Sequence, residues 1–393
     1  MKHNLMRRSG SIMPIVAISM TLFFLMLAFG LDLGIVYLSR NELQNAADAA
    51  ALAGAPQLVD EDFLQGFSDQ SDDIEACRNF TETFAGWNTA ARRYLRMDRN
   101  ESNNPTGGIV VGYTEDPFDM SGTLQSDGVS EYNTVRVETK LAEGLNGPLE
   151  LFAAAVFGED HLEIKADATA MVDDRLVGFK VKQDEKLSML PFTVNVDLWD
   201  QRFPGDPIGA SMFPCLTWQF LRLLAGVSCH WTSDGVLFLY PNWPGEQGNF
   251  GTLDIGPSDN STADLVEQIR YGVSAEDLEA IGGLILTDED EDGVFAKWLQ
   301  GDTGVSTAIQ SAVNDIKGEP RLIPLHRNYY GSGNNMMYEV VRFAGVRVVN
   351  VVMTGALEYR HIDVRPCQII TPDAVVNPSA PGSNLVYTLS LTR

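Results

Sequence analysis

The densest set of potential ligating groups in this sequence is a run of carboxylates closed by a glycine. Asp288, Asp290 and Asp292, with Glu289 and Glu291 between them and Gly293 behind, put oxygens at the first, third and fifth positions of an EF-hand-like calcium loop and the turn glycine at the sixth. The twelfth position, which should supply a bidentate Glu, is Leu299. The pattern therefore predicts a structural or low-affinity calcium site, with an acidic solvated turn as the alternative reading. Four cysteines, Cys77, Cys215, Cys229 and Cys367, have neither the C-x-x-C spacing nor the histidine partners of a zinc site. In an oxidising exterior they suit disulfides. A Cys215–Cys229 bridge would close a loop worth about 3 kcal/mol on the chain-entropy estimate, and buried free thiols are the other possibility.

Hydrolytic and phosphate chemistry find no support. The histidines at 3, 161, 230, 326 and 361 have no i, i+4 partner and form no H-E-x-x-H. There is no G-x-S-x-G and no Walker loop, and Gly331-Ser332-Gly333-Asn334 is a turn former without the Lys that phosphate cradling needs. No catalytic residue and no resident cofactor is assigned, calcium remaining the one ligand in view. The expectation is a non-enzymatic protein without a small-molecule substrate.

The elements around these residues define a class more clearly than the residues do. The 393 residues carry 28 Lys+Arg against 53 Asp+Glu, a formal charge of -25, the opposite of the basic surface that nucleic-acid binding requires. Charge is unevenly placed: Lys2, Arg7 and Arg8 make residues 1 to 31 a +3 segment, leaving -28 beyond. From Ser9 to Leu31 no residue is charged, and at about 1.5 Å rise each these residues cover the ~30 Å hydrocarbon core. Pro14 lies near the first turn, where its missing N–H costs least, and Asp32 lies at the far end, where a carboxylate reaches the headgroups. A cleaved signal peptide should have a shorter apolar region followed at once by an A-x-A site, and the nearest such pattern, Ala51-Leu52-Ala53, is twenty residues away. The expectation is a retained single-pass helix in the lipid bilayer. Positive charges before the span and mixed charges after it orient the N-terminus to the cytoplasm and the bulk to the exterior.

The helix is expected to continue to a stop at Pro56. Asn41, Gln44, Asn45 and Asp48 form a polar stripe, while Leu43, Ala46, Ala47, Ala50 and Gly54 supply a small-residue face that would let a partner helix approach closely. Packing on the chain's own body is the competing use of that face. The segment GSIMPIVAISMTLFFLMLAFGLDLGIVYLSRNELQNAADAAALAGA resembles the N-terminal domain of TadE/TadG-like Flp pilus-assembly proteins. The resemblance rests on the Gly and Pro opening the span, then Asp32, Tyr37, Arg40, Leu43-Gln44, Ala46 and the run Asp48 to Ala55. It implies a bitopic inner-membrane component of the Tad (tight adherence) system with its bulk in the periplasm, whose partners are other Tad/Flp proteins or pseudopilins. The sequence departs from prepilin-peptidase cleavage, since Gly10 is followed by Ser11, Ile12, Met13, Pro14 and Ile15, without the Glu at the fifth position. It also departs from the D-x-S-x-S metal loop of a von Willebrand A domain, at both Asp197 and Asp259.

The fold class expected is α+β: a cytoplasmic tip (1–8), a transmembrane helix (9–37), a membrane-proximal Ala-rich helix (38–55), and two exterior regions of mixed helix and antiparallel sheet (56–174 and 175–393). In the first region, Ile74, Cys77, Phe80, Phe84, Trp87, Ala91 and Tyr94 predict one helix over 72–97 with a buried aromatic face. Strands are expected at 109–113 and 132–139, and 135–172 reads strand, apolar helix (PLELFAAAVFG), strand, an order similar to Tad proteins. In the second, MLPFTVNVDLW and GVLFLY read as strands, with helices near 218–224, 262–271, 274–281 and 305–317. Long Val-rich strands broken near Gly345 and Gly355 follow. The segments NFGTLDIG and RFAGVRVVNVVMTG also resemble Tad-associated proteins lacking the A domain. Two functions follow from different classes: a docking and scaffold or minor pilin-like component of Tad/Flp pilus assembly, and a membrane-anchored envelope adhesin or calcium-stabilised binding module.

Overall fold

A computed structural model describes residues 12–59, 70–115, 124–129, 131–154, 158, 160–200, 235–240, 249–257, 261–289, 293–303, 306–355, 360–383 and 385–392. The fold is mixed α+β, as the sequence predicts. Helix α1, Met13–Gly54, runs 42 residues without a break, about 63 Å at helical rise. Pro14 occupies its first turn, and the chain leaves it through a single 3-10 turn, Ala55–Leu58, that begins one residue before Pro56. The apolar half of α1 stands clear of the rest of the chain: an 18-residue window has mean hydropathy 2.3, and none of it is buried. The other half is built into the body.

That body starts with α2 (Ser71–Gly86), the hairpin β1 (Thr89–Ala90) and β2 (Arg93–Tyr94), and strands β3 (Ile109–Gly112), β4 (Thr134–Leu141), β5 (Leu149–Glu150), β6 (His161–Leu162) and β7 (Ile164–Asp173). A five-stranded sheet runs in the order Ile369–Ile370, Val386–Thr392, β7, β4, β3. The chain's last strand pairs antiparallel with β7 from Thr388↔Asp173 to Thr392↔Thr169, so residues far beyond position 174 complete the first sheet. On β7, Ala166, Ala168 and Ala170 alternate inward and are buried, which period-two geometry requires of one sheet face. Small side chains on this face and on α1 let helix and sheet meet closely. Ala47, Ala50 and Ala51 share a core with Cys77, Val111, Val135, Val137, Ala168, Ala170 and Tyr387.

Two expectations are corrected here. The helix over 72–97 ends at Gly86, where the Asn88 amide donates 2.7 Å to the Phe84 carbonyl and the chain turns through Ala91 and Arg92 at positive φ. Its buried face is Cys77, Arg78, Thr81 and Ala85, while Phe80, Trp87 and Tyr94 are exposed, so the aromatic stripe points outward. Arg78 is held inside by donating to the carbonyls of Arg99, Asn100 and Ile109 and to Asn103, which satisfies its guanidinium without a carboxylate. Of the apolar helix expected from PLELFAAAVFG, Leu149–Glu150 form strand β5, 151–153 are irregular and 154 is in a 3-10 turn, while 155–157 lie outside the described residues.

Beyond β7 the main element is an eight-stranded sheet, flanked by a three-stranded sheet (284–285, 176–179, 374–376) and a two-stranded one (273–274, 186–187). Five strands close on themselves in the order 336–352, 320–330, 192–195, 250–253, 295–302 and back to 336–352, with one parallel pair, 192–195 beside 320–330. Tyr338 fills the ring, fully buried, its hydroxyl donating 3.3 Å to the Phe250 carbonyl. Gly251 and Gly301 make the room, since a Cβ at Gly251 would enter the Tyr338 ring and one at Gly301 would press against it and the Thr252 carbonyl. Strand Met336–Val352 passes through Gly345 unbroken, which corrects the break expected there: the missing side chain makes room for the Cys367 carbonyl. Helices Thr262–Tyr271 and Ala275–Ala280, each with a Ser N-cap, fall where the sequence puts them. At 307–315 a 3-10 turn leads into a short helix. The helix expected near 218–224 lies outside the described residues.

Candidate interaction site on the anchor helix

Asp32 follows the last residue of the uncharged run. The nineteen residues from Met13 to Leu31 rise roughly 28 Å, about the hydrocarbon thickness, so this carboxylate stands at the end of the span. It is 5 % exposed. Its oxygens accept three successive backbone N–H groups, from Phe152 at 2.8 Å, Ala153 at 2.7 Å and Ala154 at 3.0 Å. Converging amides of this kind make a nest for an anion, and bonds to an ionised acceptor are the strong ones. The same three N–H groups would be the unsatisfied donors at the start of a helix, so the carboxylate explains why the apolar segment turns here.

Higher on α1 the polar residues again grip the chain's own body. Glu42 accepts the Ala91 N–H at 2.8 Å, at the left-handed turn between β1 and β2. Gln44 donates 3.0 Å to the Asp167 carbonyl of β7 and 2.8 Å to Asp48. Thr139 of β4 donates 2.9 Å to the Leu43 carbonyl. With no loop between span and body, and four contacts tying them, α1 is a splint rather than a tether.

The small-residue face is spoken for. Leu43, Ala46, Ala47, Ala50 and Gly54 are all fully buried, the first two against Leu95, Leu141, Leu149 and Ala166, the others beside α2 and the sheet. This corrects the expectation that they receive a partner helix: composition fixed a close approach, and α2 and the sheet make it. The opposite side of α1 is bare. Gly30, Gly34, Tyr37 and Asn41 recur at alternating four- and three-residue spacing, which keeps them on one face; Gln44 and Asp48 continue that spacing, but there the face is half-buried and Gln44 bonds β7. Gly30 and Gly34 have open space where a Cβ would stand, Tyr37 is 71 % exposed, and Asn41 is exposed. The Gly30-x-x-x-Gly34 spacing, a signal for close helix pairing in membranes, was legible in the sequence but overlooked beside the alanines. Arg40 is exposed as well.

The other assigned groups are not gathered around a common site. Asp288 lies in a two-residue strand paired with Ala296, and Leu299 sits in the barrel core on strand Phe295–Asp302, where an EF-hand would require a helix. That arrangement is a strand pair rather than a helix-flanked calcium loop, and Asp290 and Asp292 lie outside the described residues. So do Cys215 and Cys229. Cys77 and Cys367 are buried, and burial pushes the Cys77 thiol up to about 12, which makes it a neutral core group. A cavity of about 90 Å³ beside Tyr113, Asn133, Arg175 and Tyr387 is well below the ~300–1,000 Å³ of ordinary ligand pockets.

An apolar helix long enough to cross a membrane, fused without a break to an α+β body, is consistent with the class of single-pass membrane proteins, and that helix is also a structural element of the folded part. Residues 10–57 match the family described as putative Flp pilus-assembly TadE/G-like. The match ends inside the turn Ala55–Leu58, so it coincides with α1. The N-terminal segment is a TadE/G-like domain, and it implies association with pilus-assembly machinery. Neither the curated proteins nor the solved structures gave a match to the chain.

Proposed function

We propose that the protein is a non-enzymatic component of Tad/Flp pilus assembly, anchored in the inner membrane with its N-terminus cytoplasmic and its body outside. It acts as a rigid scaffold or minor pilin-like subunit, docking other helices of the machinery along the bare face of α1. The observation that carries this reading is the division of the TadE/G-like helix into two faces. One is consumed by the chain's own body through Asp32, Leu43, Ala46, Ala47, Ala50 and Gly54, and the other presents Gly30, Gly34, Tyr37 and Asn41 to the outside. Displacement of a partner helix would pass to the body without loss in a linker.

Replacing Gly30 and Gly34 together by Leu tests the docking. A Cβ at either position has open space around it, so membrane insertion and circular dichroism should be unchanged while co-purification of pilus-assembly partners falls several-fold. Undiminished co-purification would remove this face from the proposal.

A further inference from the structure

The chain is strongly acidic, yet residues 83–97 contain Arg92, Arg93 and Arg96 and no acid. They form the end of α2 and the β1–β2 hairpin. Arg93 is used internally: it donates to the carbonyls of Asn146, Gly147 and Pro148 at 3.0–3.3 Å and pairs with Glu150 at 3.5 Å. Asn146 also brackets the Arg96 backbone, accepting its N–H at 2.8 Å and donating to its carbonyl at 3.0 Å. Hairpin and turn are therefore one unit, and it hangs on α1 at two heights, from Asp32 through residues 152–154 and from Glu42 through Ala91. The outward groups of this unit are of two kinds. Phe152, Tyr94 and Trp87 are 77 %, 75 % and 68 % exposed, and the side chains of Arg92 and Arg96 are exposed with no hydrogen-bond or ion-pair partner among the described residues.

We propose that this unit rests on the bilayer around the anchor, with Phe152 at the boundary of acyl chains and headgroups and Arg92 and Arg96 on the phosphates of anionic phospholipids. The inference depends on reading α1 as membrane-spanning. Phe152 donates its N–H to the residue that ends the span, which holds its backbone at the level of the interface with the ring exposed. Ala91 is tied ten residues further along α1, roughly 15 Å higher. The headgroup layer occupies roughly 5–8 Å of that height. The remainder is spanned by long arginine stems that extend toward the charged layer, helped by the ~20° tilt that is average for such helices. Exposed Trp and Tyr beside Arg are the residues enriched at membrane interfaces, and lone arginines in an acidic chain are complementary to an anionic surface.

The test uses the full chain in lipid nanodiscs. Co-elution with the discs establishes the anchor independently, so failure there sinks the spanning reading and not the collar alone. The difference in emission between Phe152→Trp and the wild type should be quenched by at least half with lipids brominated on their acyl chains, and little by aqueous acrylamide. The reverse pattern overturns the placement of Phe152. Amide exchange over 89–96 should slow at least fivefold when a third of a neutral lipid is replaced by phosphatidylglycerol, and this gain should vanish in Arg92→Gln/Arg96→Gln. Equal rates in both lipids overturn the anionic-lipid assignment. Protection that appears only on adding an acidic partner protein also overturns it, giving the surface to that partner.

Discussion

Gly54→Ala separates the two uses of α1's small-residue face by the sign of its effect. Gly54 closes the helix at φ -79° and ψ -45°, a conformation that alanine adopts without strain. Backbone entropy alone therefore predicts a gain of about 0.4–1 kcal/mol. The packing predicts a loss. A Cβ at this position runs into the Thr81 hydroxyl and lies 3.3 Å from both the carbonyl oxygen and the Sγ of Cys77. Thr81 and Cys77 are themselves fully buried on α2, so relief requires α2 to move off α1. Overpacking of this kind costs roughly 1–3 kcal/mol, leaving a net loss of about 1.3 kcal/mol at the midpoints of the two ranges. For a folded body of this size that is a fall of roughly 1–4 °C in melting temperature. The assay is a thermal melt of the full chain in detergent or nanodiscs, followed by circular dichroism with the wild type in parallel. A melting temperature equal to or above that of wild type would refute the reasoning and return this face to an external partner.

Asp32→Ala should free the three amides at 152–154, raising their hydrogen-exchange rates at least tenfold while β4 and β7 keep their protection; an unchanged rate would show that the latch does not hold the turn. Glu138 sits between Lys165 at 2.7 Å and Lys140 at 3.5 Å, two lysines directly opposite each other on β7 and β4. Burial raises its carboxyl but the Lys165 ammonium and its neighbour outweigh that, so the folded value lies below the ordinary 4.5. A depressed carboxyl stabilises above the unfolded value and loses that contribution as pH falls through the folded one. Wild type should therefore melt higher than Glu138→Gln at pH 7, with the gap closing well below pH 4.5, and a gap that persists in acid counts against the ion pair. Melts with calcium and with EDTA should coincide, because Leu299 is committed to the barrel core; a calcium-dependent rise would reopen the acidic loop as a site.

The anchor was readable because its signals are local. An uncharged run, a proline in the first turn and a carboxylate at the end need no knowledge of distant residues, and helix propensity carried the prediction on to Pro56. The helices expected at 262–271 and 274–281 also form, over Thr262–Tyr271 and Ala275–Ala280, and the structure adds the serine cap that starts each. The aromatic stripe of α2 failed because Phe80, Phe84 and Trp87 imitate a core face at helical spacing. Only the position of α1, against Cys77, Thr81 and Ala85, decides which side is inside.

What the sequence determined by itself is that a span ends at Asp32, that α1 continues beyond it, and that the continuation carries a face of small side chains and the TadE/G-like motif. It could not say what that face touches. Ala47, Ala50 and Gly54 specify a close approach and not a partner, since small residues remove an obstacle without recognising anything. Only the tertiary structure decided that the approach is made by α2 and β7, that Asp32 is filled by amides 120 residues later in the chain, and that Val386–Thr392 completes the first sheet. These are pairings between residues remote in sequence, set by backbone hydrogen bonds and by which surfaces remain to be buried. The bare face of α1 is defined by what the rest of the fold leaves uncovered.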